Sequence, residues 1–474
     1  MPGMKSKRSQ HIIAMAALAG FVWVGVYGSF LGWGTDRDSV RVIQSARSIL
    51  DGHYLPSRSW GFPLHEVASA MLYGVGGLLA VNLGSVAATS LGILAALHIV
   101  RILARTRLAL AALLLCGSPL LLANVSAAID FGWDFAAGMG LLSAALSVQF
   151  ATSALTLAAF FTATLAMLLL RPDNVLFAAA VTIALLGHGQ QRARILAAAL
   201  AAGLLAAAIY LWLNGVAHLL NGVSTTRPWL ARAARATVLG SAALGPGGAL
   251  ALALLARSGS APEPAALLRR VCWLAWLLYL PRFAALPDQA DYLILPVQLS
   301  LLLAACSLSF RDATVCTVLT ALPALVTVSI FQRTSTDGRL ELSVAPQWGT
   351  VEQDWAARRF AMAIASPHMA AFVAAHMHGP GAPTTLTYDT YLPGFRSPGG
   401  EFVIGREHLY RVVPIGRGLS DSATVQRSLY GAIWACDAAL GPGIGWRGWE
   451  ARTSSAILRA ATGGELSCWR ADPN

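Results

Sequence analysis

A chain of 474 residues that is 56% hydrophobic and only 12% charged is too apolar for a soluble protein, whose domains carry about 25% charge. Mean hydropathy of +0.59 and repeated apolar stretches of 16 to 22 residues between Met1 and Phe331, near the ~20 that span a bilayer, exclude a cytosolic enzyme. The net charge of +11 divides unevenly: residues 1–332 hold 21 Lys+Arg against 11 Asp+Glu, and residues 333–474 hold 13 against 12, so the basic excess marks loop sidedness in the membrane part and excludes nucleic acid as a partner.

The start, MPGMKSKRSQ, carries Lys5, Lys7 and Arg8 ahead of an apolar run from His11 to Leu31. That run is too long for a signal peptide and lacks a small-residue cleavage site, which predicts a first spanning helix with a cytoplasmic N-terminus. The first outer loop, Gly34 to Glu66, follows. Within it Val40, Ile43, Ala46, Ile49 and Leu50 recur at helical spacing. Asp38 to Asp51 is therefore expected to form an amphipathic helix on the membrane surface, its polar face carrying Arg41, Ser45 and Ser48. Gly52 stops this helix, and Tyr54-Leu55-Pro56 turns the chain back toward the bilayer. Pro63 to Val81 is expected to lie at the outer interface, because a span there would place Arg101, Arg105 and Arg107 outside.

Further spans are expected at 84–101, 108–124, 132–149, 152–170, 174–188, 194–213, 237–256, 271–286, 291–309 and 313–331, about 11 in all. With this topology the cytoplasmic side collects twelve basic residues and the outer loops nine. The acids divide more sharply. Asp36, Asp38, Asp51, Glu66, Asp130, Asp134, Asp173, Asp288 and Asp291 fall outside, with only Glu263 and Asp312 inside. Acids contribute little to orientation, so this split points to function at the outer face.

An odd number of spans sends residues 332–474 to the outer side. Val351 to Ser366 has helical spacing, and TTLTYDTYL and the two halves of GEFVIGREHLYRVVPIG read as strands, a small α+β domain. Cys116, Cys272, Cys306 and Cys316 sit in apolar spans as small hydrophobes. In an oxidising compartment Cys436 and Cys468 could close a disulfide; the alternative is two reduced buried thiols. His376 and His378, with His368, have no acid or Cys at close spacing and read as a polar helix end. No Walker or dinucleotide fingerprint is present.

An acid just beyond a spanning helix, beside several arginines, suits a base or metal ligand facing an anionic substrate; equally, Asp36 or Asp38 could cap the following helix. In LLLRPDN, Pro172 is placed to begin a helix. Arg171 could hold a phosphate by bidentate hydrogen bonds or snorkel to the interface paired with Asp173. Arg227, Arg232 and Arg235 share an outer loop with Trp229, and Arg282 shares another with Asp288, Asp291 and Tyr292. Charges at such depth imply a cavity.

The order of these features resembles a family. A spanning helix, an outer-loop acid, an aliphatic helix with Ala46 eight residues after Asp38, a Gly, an aromatic, a Pro and the segment Gly61-Phe62-Pro63-Leu64-His65-Glu66 are similar to the membrane-embedded type C glycosyltransferases, of the aminoarabinose and protein mannosyl transferase type. The chain departs from the family in having Asp36-Arg37-Asp38 for the commoner Asp-Glu pair and Phe62-Pro63 for Pro-Pro.

The resemblance implies an α-helical polytopic protein with a transferase domain at 1–331 and an extracytoplasmic domain at 332–474. It further implies a bacterial inner membrane location, a polyprenyl-phosphate sugar donor, and a glycan, lipid or protein acceptor at the outer face. It makes Asp38, with Asp36, the catalytic base of an inverting transfer. Arg58, His65, Glu66, Arg171, Arg282 and Tyr292 become candidates for substrate or phosphate. Asp130 and Asp134, which otherwise read as a polar turn, become candidates for a divalent cation, Mg or Mn. The rival class is a lipid or solute transporter or flippase. Against it stand the absence of an evident internal repeat and the gathering of acids at one face.

Overall fold

The computed structural model describes residues 7–30, 37–58, 60–187, 191–220, 229–258, 265–287 and 290–325, and seven strands between 327 and 471. The first helix, α1, runs Lys7–Ser29 and α2 runs Arg37–Leu50. α2 matches the amphipathic helix expected in the first loop, but its apolar face meets protein rather than lipid. Val42, Ile43 and Ala46 are at most 1% exposed, and Ile43 packs with Val81, Ala128, Leu72, Tyr73 and Leu78. Ser45, expected on the polar face, is buried as well.

The helix expected at the interface and the second expected span form one run, α3, Pro63–Leu103, bent at Gly76-Gly77. Gly77 has φ +62°, a left-handed conformation open to glycine at little cost, and this bend lets the first turns of α3 depart from the direction of the span. The expected span 108–124 is broken into α4, Leu108–Cys116, and α5, Pro119–Asn124. Gly117-Ser118 interrupts it and Pro119, with its fixed φ and missing N–H, starts the second piece.

Then come α6, Phe131–Phe150; α7, Ala154–Leu170; α8, Val175–Leu186; α9, Arg192–Leu220; α10, Trp229–Arg257; α11, Ala266–Ala285; α12, Ile294–Ser307; and α13, Phe310–Leu325. The last expected span, 313–331, ends its helix at Leu325, after Pro323. Thr327–Gln332 is strand β1, paired antiparallel with β2, Leu340–Ala345; its β-branched alternation, TVSIFQ, suits a pleated strand better than a helix. Among the described residues six helices are long and apolar enough to cross a membrane: Arg8–Ser29, Pro63–Leu103, Phe131–Phe150, Arg192–Gly215, Leu239–Arg257 and Ala290–Ser307, with shorter apolar helices at Ala154–Leu170 and Pro172–Leu186.

Small residues let the helices approach closely, as membrane packing requires. Gly92 of α3 lies so near α6 that a Cβ there would stand 2.7 Å from the Phe135 ring. In the C-terminal region β3, Thr385–Asp389; β4, Glu401–Val403; β5, Leu409–Ile415; β6, Ile433–Ala438; and β7, Leu466–Ala471 form a sheet of order β4-β5-β3-β6-β7. β3 lies parallel to β5 and β6, while β4 and β7 pair antiparallel at the edges. The strands expected from TTLTYDTYL and from GEFVIGREHLYRVVPIG are present. The helix expected at 351–366 and the histidines at 368, 376 and 378 lie outside the described residues.

Candidate functional site

Four of the acids that sequence placed on one face come together from three segments. Asp38 stands in the first turn of α2, Asp130 and Asp134 at the start of α6, and Asp173 in a 3-10 turn, Pro172–Asn174, that follows α7. Two arginines tie them into a chain. Arg58, in the return limb of the first loop, places Nε 3.1 Å from Asp38 Oδ2 and Nη2 2.9 Å from Asp130 Oδ1. Arg171 places Nη1 2.8 Å from Asp130 Oδ2 and Nε 3.3 Å from Asp134 Oδ2 and 3.0 Å from Asp173 Oδ1. The pairing of Arg171 with Asp173, one of the two readings of LLLRPDN, is therefore present. Arg41 closes the outer end at 3.0 Å from Asp38 Oδ1.

Asp130 is fully buried, which alone would raise its pKa. Arg58 and Arg171 outweigh that burial and hold its carboxyl down at about 2. Arg171 loses hydration on burial too, yet its surrounding carboxylates, Asp173 foremost, keep the guanidinium firmly protonated. Aromatic faces complete its enclosure: the Arg171 guanidinium lies 4.8 Å from the Phe131 ring centroid, 5.0 Å from Tyr292 and 5.4 Å from Phe62. Phe62 also lies 4.6 Å beneath Arg58.

Glu66, in the first turn of α3, faces the first loop. Its carboxylate accepts hydrogen bonds from the Tyr54 hydroxyl, the Ser57 hydroxyl and, at 2.7 Å, the Ser57 backbone N–H. Burial and the neighbouring Glu66 push the Tyr54 phenol well up, so it stays a donor. Asn214 of α9 donates to the Trp60 carbonyl at 3.0 Å. These contacts fix the limb that carries Arg58.

Two sequence candidates stand apart from this ion-paired frame. His65 is fully buried with its ring edge-on to Trp133 at 5.6 Å, and neither ring nitrogen has a hydrogen-bond partner among the described residues. Arg282, in the last turn of α11, lies 5.9 Å over the Tyr292 ring, and its buried Nη1 likewise has no partner among the described residues. Tyr292 thus stands between the guanidinium groups of Arg171 and Arg282. Asp36, Arg227 and Asp288 lie outside the described residues.

The donor set does not fit a divalent cation. Both oxygens of Asp130 face arginines, and those of Asp134 face Arg171 and, at 2.9 Å, the Asn174 amide. Among the described residues no cluster of three or more His, Cys, Asp or Glu side chains could hold a metal. Phe62, Phe131, Tyr54, Ser57 and Asn174 were not singled out by sequence reasoning as site residues. Phe62, Phe131 and Asn174 lie beside Pro63, Asp130 and the Arg171 block, and Tyr54 and Ser57 lie in residues 54–58 of the first loop; those positions are the signal that could have pointed to them.

No family model matches the sequence, and no curated protein matches it. Solved structures do. The chain superposes over 96% of its length on 98% of the crystal structure of ArnT from Cupriavidus metallidurans in the apo state, with a TM-score of 0.53 at 14% identity. The fold is ArnT-like. The structure of ArnT from the same organism bound to undecaprenyl phosphate matches equally, with a TM-score of 0.53 at 13% identity over 96% of this chain and 97% of that one. The ArnT-like fold and the six apolar helices make this a multi-pass membrane protein.

Proposed function

We propose that the protein transfers a sugar from a polyprenyl-phosphate donor to a glycan, lipid or protein acceptor at the outer face of a bacterial inner membrane. The observation that carries this reading is the division of the buried polar groups. Arg171 pairs with Asp130 and Asp134, and Tyr54 and Ser57 donate to Glu66, while His65 and Arg282 Nη1 are buried beside these groups with no hydrogen-bond partner among the described residues. Buried polar groups seldom go unpaired, so these two are the groups that meet an anionic ligand. The ArnT-like fold, known with undecaprenyl phosphate bound in ArnT itself, supports a lipid phosphate as that ligand.

In this reading Asp38 is the base. Its Oδ1 partner, Arg41, has a side chain 42% exposed, so an acceptor hydroxyl can displace it at low cost. Arg58 holds Oδ2 and keeps the carboxylate oriented. The acceptor oxygen attacks the anomeric carbon as Asp38 takes its proton, the bond to the phosphate oxygen breaks, and configuration inverts. Arg282 and His65 receive the departing phosphate, whose growing charge a guanidinium stabilises most when water is excluded. Glu66 and Arg171 act as positioning residues.

The test is to incubate membranes with a panel of radiolabelled polyprenyl-phosphate sugars. Label is expected to enter an acceptor covalently in wild type and to fall below detection in Asp38→Asn at equal expression. Undiminished transfer in that variant removes Asp38 from the mechanism. Label that crosses the bilayer without covalent transfer supports a flippase instead.

A further inference from the structure

A second polar feature lies at the other end of the bundle, remote from the charge chain. From the bend at Gly77, α3 continues to Leu103, roughly 38 Å at 1.5 Å per residue, enough to carry its C-terminal end across a membrane. There a cavity of about 260 Å³ opens between α1, α3 and α4, lined by His11, Met15, Leu94, Leu97, His98 and Arg101. The lining follows helical spacing. On α3, Leu94, Leu97, His98 and Arg101 fall on one face, and on α1 His11 and Met15 do the same.

This spacing sorts the cavity by polarity. His11 lies near the start of α1, and His98 and Arg101 near the end of α3, so the imidazoles and the guanidinium ring the mouth. Met15, Leu94 and Leu97 lie deeper along the helices. Ile12, Met15, Leu91 and Leu94 expose 43% to 63% of their surface, so the apolar part of the lining continues into an apolar wall facing the acyl region. The mouth is also basic. Arg105 and Arg107 follow in the next turn, and Arg107 lies 5.6 Å over Phe310 at the start of α13. Among the described residues the acid at this end is Asp312, which the Ser309 hydroxyl engages at 2.7 Å.

We propose that this cavity binds the headgroup of an anionic glycerophospholipid, with an acyl chain along the wall formed by α1 and α3. Arg101 pairs with the phosphate, and His11 and His98 donate to the phosphate or to headgroup hydroxyls. A basic pocket between spanning helices, beside an exposed apolar wall, matches a lipid's charge and its amphipathic order together, whereas a free phosphate would leave the wall unused. The site is independent of the proposed transferase reading, because no residue of the charge chain contributes to it.

The experiment is native mass spectrometry of the full chain purified from nanodiscs of phosphatidylcholine with one quarter phosphatidylglycerol. Wild type is expected to retain phosphatidylglycerol in preference to phosphatidylcholine. The double variant His98→Ala with Arg101→Gln should retain at least ten-fold less, while Arg101→Lys, which keeps the charge, should retain it nearly as wild type does. Arg194→Gln, a basic residue outside the cavity, should change nothing. Undiminished retention in the double variant overturns the proposal. So does an equal loss in Arg194→Gln, which would show general charge attraction, or an equal loss in Arg101→Lys, which would show damage to folding.

Discussion

Arg171 Nη1 stands 2.8 Å from Asp130 Oδ2, with Asp130 inaccessible and the Arg171 side chain only 5% exposed. This pair joins the end of α7 to the start of α6, and Asp134 and Asp173 share the same guanidinium. Removing one partner from a buried ionic network leaves the others charged and unpaired, at a cost of about 3–5 kcal/mol. Arg171→Met should therefore lower the thermal unfolding temperature of the detergent-purified protein substantially. Arg171→Lys should recover only part of the loss, since an ammonium cannot present three nitrogens in a fixed plane. An unchanged unfolding temperature in Arg171→Met would show that the network contributes nothing to stability.

Asp130 provides a pH test. Its folded carboxyl is held at about 2, below the ordinary value of 3.8. A carboxyl depressed by folding contributes stability that is fully present above its unfolded value and is lost as pH falls through the folded one. Thermal stability should thus decline between about pH 4 and pH 2. Asp130→Asn should be less stable than wild type at pH 7 and should show a weaker decline over that window. A decline of the same size in the variant would assign the acid sensitivity to other groups.

Glu66 tests the support of the first loop. With three donors converging on its carboxylate, and hydrogen bonds to a charged group worth about 1.5–3 kcal/mol each, Glu66→Ala should release the limb from His53 to Trp60. Trypsin is then expected to cut at Arg58 faster in the variant, with the helical circular dichroism signal retained. Equal cleavage rates would show that other contacts, such as Asn214 to Trp60, suffice to hold the limb.

The two cysteines of the C-terminal sheet provide a fourth test. Cys436 of β6 and Cys468 of β7 are directly paired register positions in an antiparallel ladder, where Cα atoms approach to about 4.5–5.5 Å, within the range that a disulfide bridges. Peptide mapping without reduction should recover the two segments linked. Alkylation of both thiols in the native, unreduced protein would show them to be free.

Much of this protein is legible in its sequence because the relevant signals are local. Apolar runs of membrane length, the helical spacing from Val40 to Leu50 and the alternation in LYRVVPI each depend on a few neighbouring residues and on the period of the backbone. The one-sided placement of the acids followed from counting spans, and it pointed to the end of the bundle where Asp38, Asp130, Asp134 and Asp173 meet. Pro119 and Gly77 could be read as breakers, yet whether a breaker ends a helix or bends it depends on what packs against it.

The pairing itself was decided by tertiary structure. Arg58 and Arg171 share Asp130 only because α6, α7 and the first loop converge, and Asn124 reaches Asp291 across 167 residues of sequence at 2.8 Å. Composition and periodicity carry no information about contacts at that separation. The family resemblance marked His65, Glu66, Arg171 and Arg282 as candidates to meet substrate or phosphate. Only the packing of helices from distant parts of the chain determined that Glu66 and Arg171 have partners within the protein, while His65 and Arg282 Nη1 lie buried with none among the described residues.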